Sequence, residues 1–356
     1  MIALRRLLVA AVLVPVAFEL AVRLDDWVRF GVPLSSGATS IEDLRVVDTL
    51  GRHARPGTAF RKYRINALGF RGAEVSDAAL RARSVVVVSG ASETFGLYES
   101  AGMEWPQQLS DSLNRQCRTK PVTVLNAAFV GMALPTVIHD VERRILRLRP
   151  KVIVYYPQPS QYLFGDVPRV SPSSIAPPPP LPAWRLRSEP RLRDDFKGIM
   201  PEVVLDYLRR RETERSRSAG EELFDKFPAE RLDSMEAHLR TLVGVVRRGG
   251  ASIVVVMPQH RFSDTTSVAE QRWLRAWERF VPKASGSLIL SFSSLASQRI
   301  RAVASDSGVS LVEPPFPNGP QRALMFADPG HFTDRGAAVL AEATSRVVSR
   351  TLGCVE

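Results

Sequence analysis

Five short runs of the chain are apolar at nearly every position: Ser84–Val88, Val122–Leu125, Val152–Tyr156, Ile253–Met257 and, more weakly, Ser310–Val312. A strand wetted on one face alternates apolar with polar residues. Uninterrupted β-branched runs therefore predict strands buried on both faces of a parallel sheet. Between the runs the period changes to that of amphipathic helices, over residues 104–116, 135–148, 230–247 and 334–352. The second of these closes at Pro150, whose ring cannot continue a helix, and the third at Gly249-Gly250. Strands alternating with helices predict a parallel sheet covered by helices on both faces, with its ligand site at the carboxyl ends of the strands.

Two regions break this rhythm. Residues 25–80 look polar and irregular, and end in Asn66-Ala-Leu-Gly-Phe-Arg-Gly72. Residues 165–230 open with Pro177–Pro180 and Pro182, which favour extended polyproline structure, and run into a charged stretch with helical character around Arg209–Glu222. A connection this long inside a domain is expected to be an insertion over or beside the active face, or else a solvated excursion.

At the N-terminus, Arg5 and Arg6 precede an apolar run from Leu7 to Phe18, which reaches spanning length when counted through Leu24. Glu19 and Arg23 fall four apart on one helix face and are expected to pair. The leading arginines predict the N-terminus inside and the body outside. A signal peptide, cleaved to release a secreted protein, is the alternative. No small-residue cleavage site follows the run, so a retained anchor over residues 1–24 is the primary expectation.

The composition adds exclusions. The 48 Lys and Arg against 37 Asp and Glu leave a net charge of +11. Without zinc-ligand spacing, an RNA-binding aromatic signature or a block of basic residues, this charge does not indicate nucleic acid. Cys117 and Cys354 stand apart from any His or Cys at metal spacing, so no cysteine-based metal site is expected; outside the cytoplasm the two could pair.

Candidate chemistry lies after the strands. The first runs into Ser89-Gly-Ala-Ser92-Glu-Thr-Phe-Gly96, where a serine in a glycine-flanked turn is placed as a nucleophile. The second runs into Asn126-Ala-Ala-Phe-Val-Gly131, whose glycine N–H is a candidate oxyanion donor or a plain turn residue. Near the C-terminus, Asp328-Pro-Gly-His331 puts a carboxylate within reach of an imidazole, able to fix its tautomer and support its charged form. His139 beside Asp140, and His238 two after Glu236, lie in helical patterns where such neighbours do not face each other, while His53 and His260 have no acidic residue within three positions.

In this order the blocks resemble the SGNH (GDSL-like) hydrolase family, closest to exported, single-anchor bacterial members with an N-x-x-G-F-R-G segment like Asn66–Gly72. Gly90–Gly96 is similar to their GDSFTFG block, Val124–Gly131 to VLNAGVPG, and Asp328–Gly336 to D-x-x-H-x-x-x-x-G. The resemblance implies an α/β fold, an SGNH/flavodoxin-like three-layer α/β/α sandwich with a parallel sheet over residues 81–353, beside the N-terminal transmembrane helix and a lead-in over 25–80. It also implies Ser92 as nucleophile, His331 as base and then acid, Asp328 as its orienter, the N–H groups of Ser92 and Gly131 as oxyanion donors, and no metal or organic cofactor. Three positions depart from the pattern. Ser160 stands where the family has an oxyanion-binding Asn, with Gln158 and Gln161 as possible substitutes; Ala91 replaces an Asp; and Glu93 brings a carboxyl beside the nucleophile. The implied function is an ester hydrolase or acyl transferase acting on an acylated envelope carbohydrate or lipid. The alternative is a degenerate domain that binds a glycan or partner in the envelope.

Overall fold

The structure is a computed structural model that describes residues 2–164, 181–182, 204, 207–208, 211–215, 223–262 and 268–354. Two antiparallel hairpins come first, β1 (Arg45–Asp48) with β2 (Gly51–Ala54) and β3 (Ala59–Phe60) with β4 (Tyr63–Arg64). The central sheet follows: β5 (Ser84–Ser89), β6 (Val122–Asn126), β7 (Val152–Tyr155), β8 (Ser252–Val256) and β9 (Ser310–Val312). Its order is β6-β5-β7-β8-β9, parallel throughout. This is the doubly wound order whose crevice opens where β6 and β7 diverge from β5.

All five expected strands are present, and the burial explains their composition. Val85 and Val87 of β5 join one core with Ile153, Ile253 and Val255, while Val86 and Val88 join a second core with Val154, Val254 and Val256. Both faces are dry, so neither set of alternating positions can be polar. Helices Trp105–Gln116 and Asp334–Thr351 close the second core with Leu109, Leu113 and Leu340. Helices Leu134–Asp140, Ala229–Arg248 and Gly286–Asp306 close the first with Val137, Leu242 and Phe292. The result is the expected three-layer α/β/α sandwich with a parallel sheet.

Three local expectations need correction. The stretch 135–148 is regular only to Asp140; a wide turn over Val141–Ile145 and a tight one over Leu146–Leu148 follow, and Arg149 ends them at φ 50°. The helical path nonetheless ends where expected, at Leu148, with the non-helical Arg149 directly before Pro150. Second, residues 25–80 are ordered: besides the hairpins, Leu44, Phe60, Ile65 and Phe70 are buried in the first core. Strands of two to four residues are too short for an alternating pattern to show. Third, helices Val268–Glu278 and Gly286–Asp306 were not foreseen. The expected insertion falls mostly outside the described residues, although 211–215 is helical and Leu181 packs on the first core.

The N-terminal helix runs Ile2–Phe30, beyond the expected end at Leu24, and over Arg5–Phe30 it is long and apolar enough to cross a membrane. The Glu19–Arg23 pair forms at 2.7 Å. Arg23 is buried, and it also donates to the carbonyls of Leu34 and Ser36 at 2.7 and 2.9 Å, tying the end of the helix to the chain that follows. Cys117 and Cys354 form a disulfide, with Cα atoms 4.9 Å apart.

Candidate active site

β5 delivers Ser92 directly. The strand ends at Ser89, and Gly90 lets the chain turn tightly: a Cβ there would stand 2.3 Å from Thr94 Oγ1 and 3.1 Å from the Tyr156 carbonyl. One helical turn, Ser92–Phe95, then leaves Ser92 partly exposed and buries Glu93, Thr94 and Phe95.

Support for this turn comes from distant chain. Arg71, within the Asn66–Gly72 motif, donates through Nη1 to the Phe95 carbonyl and, at 2.6 Å, to the Gly96 carbonyl. Its guanidinium lies over the Phe95 and Tyr63 rings at 4.7 and 5.1 Å and faces Glu104 at 3.5 Å. Its own N–H donates to the Asn126 carbonyl at 2.9 Å, and the Asn126 side chain donates to the Thr94 carbonyl at 3.0 Å. The lead-in motif, the Ser92 turn and the end of β6 are thus joined by hydrogen bonds of Arg71 and Asn126.

The Asp328–His331 turn is assembled from its own residues. His331 Nδ1 lies 2.7 Å from Asp328 Oδ2, and the other carboxylate oxygen accepts the N–H groups of Gly330 and His331 at 2.9 and 2.8 Å. With the proton of Nδ1 donated to Asp328, Nε2 is the basic nitrogen of the neutral ring, and among the described residues it has no hydrogen-bond partner. Tyr98 packs against the ring at 5.1 Å. Burial alone would lower the imidazole's proton affinity, but Asp328, then Glu93 and Glu99, outweigh it and push His331 up to about 9. Asp328 shifts the other way: burial opposes its ionisation, and the His331 charge and hydrogen bonds hold it below the usual carboxylate range.

Between the two turns sits Glu93, 3% exposed. The Ser92 hydroxyl donates to its Oε2 at 3.3 Å, while its Oε1 has no partner among the described residues. Desolvation raises its proton affinity above that of an ordinary glutamate, and the His331 charge offsets this in part. A cleft beside it is bordered by Gln158, Ser160, His260, Trp277 and Gly330. Glu99, buried nearby and tied to Lys62 through its carbonyl at 2.6 Å, is pushed by desolvation to about 7.

The sequence candidates are therefore placed as follows. Asp328 and His331 are paired as expected, and the Ser92 hydroxyl is turned to Glu93 rather than to the imidazole. Gly131 is exposed at φ 73°, with its carbonyl accepting from Arg52 at 2.9 Å. Neither its N–H nor that of Ser92 donates to another group among the described residues. Ser160 is buried at the edge of the cleft that Glu93 lines, and Gln161 is turned into the short helical turn Pro159–Leu163. Two of the other histidines are engaged elsewhere: His238 with the Tyr162 hydroxyl at 2.8 Å, and His53 with Asp48 at 3.3 Å. His260 is buried and desolvated, which holds its ring at about 4 and hence neutral. Sequence reasoning gave Arg71 no role, because its partners are main-chain carbonyls that no residue pattern reveals.

Comparison with protein-family models finds no match, and comparison with curated proteins finds none. Among solved structures, an acetylxylan esterase from Geobacillus stearothermophilus is similar at 13% identity and a TM-score of 0.43, over 77% of this chain and 98% of that one. A lipolytic protein of the G-D-S-L family from Desulfitobacterium hafniense is similar at 10% identity and 0.41, over 74% and 99%. A lipase/acylhydrolase from Enterococcus faecalis is similar at 11% identity and 0.41, over 75% and 96%. At such identities and scores these likenesses carry no chemistry across to this chain.

Proposed function

We propose that the chain is an ester hydrolase or acyl transferase of the Ser-His-Asp type, held by its N-terminal helix with its body outside the cytoplasm, and acting on an acylated envelope carbohydrate or lipid. The observation that carries this reading is the Asp328–His331 pair, whose Nε2 has no partner among the described residues and whose ring interacts electrostatically with the same buried Glu93 that accepts the Ser92 hydroxyl. In this mechanism the Ser92 hydroxyl turns from Glu93 to Nε2. Oγ attacks the ester carbonyl carbon as its proton passes to His331, and Asp328 supports the imidazolium. The N–H groups of Ser92 and Gly131 hold the oxyanion. Collapse expels the alcohol, which takes the proton from His331, and water or an acceptor alcohol then attacks the acyl-serine by the same path in reverse.

A fluorophosphonate probe labels the wild type at Ser92 and spares Ser92→Ala. A general base must be unprotonated, and His331 holds its proton up to about 9. Labelling therefore speeds up as pH rises towards that value, roughly tenfold per unit on the rising limb. A folded wild type that stays unlabelled at all pH values rules the enzyme out. One observation favours a second reading, a glycan- or partner-binding domain: the Ser92 hydroxyl is engaged by Glu93 instead of the imidazole. Undiminished glycan affinity in a Ser92→Ala, His331→Ala double variant, with no turnover by the wild type, supports that reading.

A further inference from the structure

Glu93 is poorly explained as a structural residue. Its carboxyl is buried beside a cleft, makes no ion pair with an arginine or lysine among the described residues, and leaves Oε1 without a hydrogen bond. Its surroundings are specific: the Ser92 hydroxyl at 3.3 Å, the Gly330 turn 3.5 Å away measured from that glycine's Cβ direction, and Gln158 and Ser160 across the cleft. An oxygen bonded to the carbon that Oγ attacks lies close to Oγ itself. A group 3.3 Å from Oγ reaches the developing oxyanion when the carbonyl oxygen is turned to its side.

We propose that Glu93, as a neutral carboxylic acid, donates a hydrogen bond to the oxyanion formed when Ser92 attacks, completing the donor set begun by the backbone N–H groups. This inference rests on Ser92 being the nucleophile. A carboxylic acid kept protonated by a dry site is an effective donor, whereas the same group ionised would repel the oxyanion. Burial favours the protonated form. The groups that act on Glu93 are the His331 ring and Asp328 carboxylate of the C-terminal turn, the Gln158 amide after β7, and the Tyr155 and Tyr156 hydroxyls. When His331 is charged it eases the ionisation of Glu93, so the two titrate as one unit. The reactive form has the proton on Glu93 and none on Nε2. The pair loses its two protons in two shared steps, so activity rises with the first and falls with the second.

The test is the rate of fluorophosphonate labelling of the full chain across pH, for wild type, E93Q and E93A, with a melting curve for each. The Gln side chain carries an N–H donor that does not titrate. E93Q is expected within about tenfold of wild type at its optimum, without the decline at high pH, and E93A to be slower by about 10²–10³. Labelling of folded E93A at the wild-type rate or faster overturns the proposal, as does equal slowing of E93Q and E93A. If E93A does not fold, a high-pH decline that persists in E93Q overturns it. A wild type unlabelled at Ser92 removes the nucleophile reading and this inference together, whereas a labelled wild type with indifferent Glu93 variants removes the inference alone.

Discussion

The two turns that meet at the candidate site are built in opposite ways. The Asp328–His331 turn is local: the acid accepts two N–H groups and the imidazole from within its own four residues. The Thr333 hydroxyl caps the helix that follows, accepting from the Gly336 N–H at 3.3 Å. The Ser92 turn is borrowed: Arg71 holds its carbonyls from the lead-in, and Asn126 ties it to β6. A turn closed by short-range contacts is encoded by spacing alone. One held from afar depends on residues that spacing does not reveal.

The contrast can be broken, starting from the largest expected effect. Asp328→Asn keeps the size of the side chain but loses the carboxylate that orients and charges His331. Labelling should slow by about 10⁴ with little change in melting temperature, and a loss under tenfold would mean that the local turn is not the base's support. Arg71→Ala leaves Glu104 buried without its cation and frees two carbonyls. It should lower unfolding free energy by about 3–5 kcal/mol in chemical denaturation and, by letting the nucleophile drift, slow labelling by about 10². Arg71→Lys keeps a charge for Glu104 but lacks the fork that spans both carbonyls, so it should regain stability more than rate. An Arg71→Ala protein with wild-type labelling would show the nucleophile turn to be self-supporting. The smallest effect is expected for Thr333→Ala, which removes one helix cap and should cost about 1 kcal/mol in denaturation while leaving labelling nearly unmoved.

This division also sets how much of the molecule was legible in its sequence. The five strands were readable because burial on both faces forces apolar residues at every position, and the Asp328–His331 pair because three residues separate it. The helix Gly286–Asp306 was not, because Ser293 on its buried face and Leu295 on its exposed face blur the contrast between apolar and polar sides. Ser293 and Ser297 border the cleft beside Glu93, so the break in pattern falls where that helix meets the site. The short hairpins of 45–64 pair without a visible alternation, yet they carry Tyr63, whose hydroxyl donates to the Leu97 carbonyl at 2.7 Å just past the nucleophile turn. Glu93 was visible as an anomaly. That no arginine among the described residues pairs with it required coordinates.

The cystine linking helix Trp105–Gln116 to the chain end has a topological consequence. It closes a covalent ring over 237 residues of sequence separation, with His331 inside it and Ser92 outside. A backbone break between Cys117 and His331 would open the ring without releasing either piece, so the fragment bearing His331 would stay tethered to the one bearing Ser92. In an oxidising compartment a clipped molecule would remain a single covalent species, and only a reductant would separate its halves.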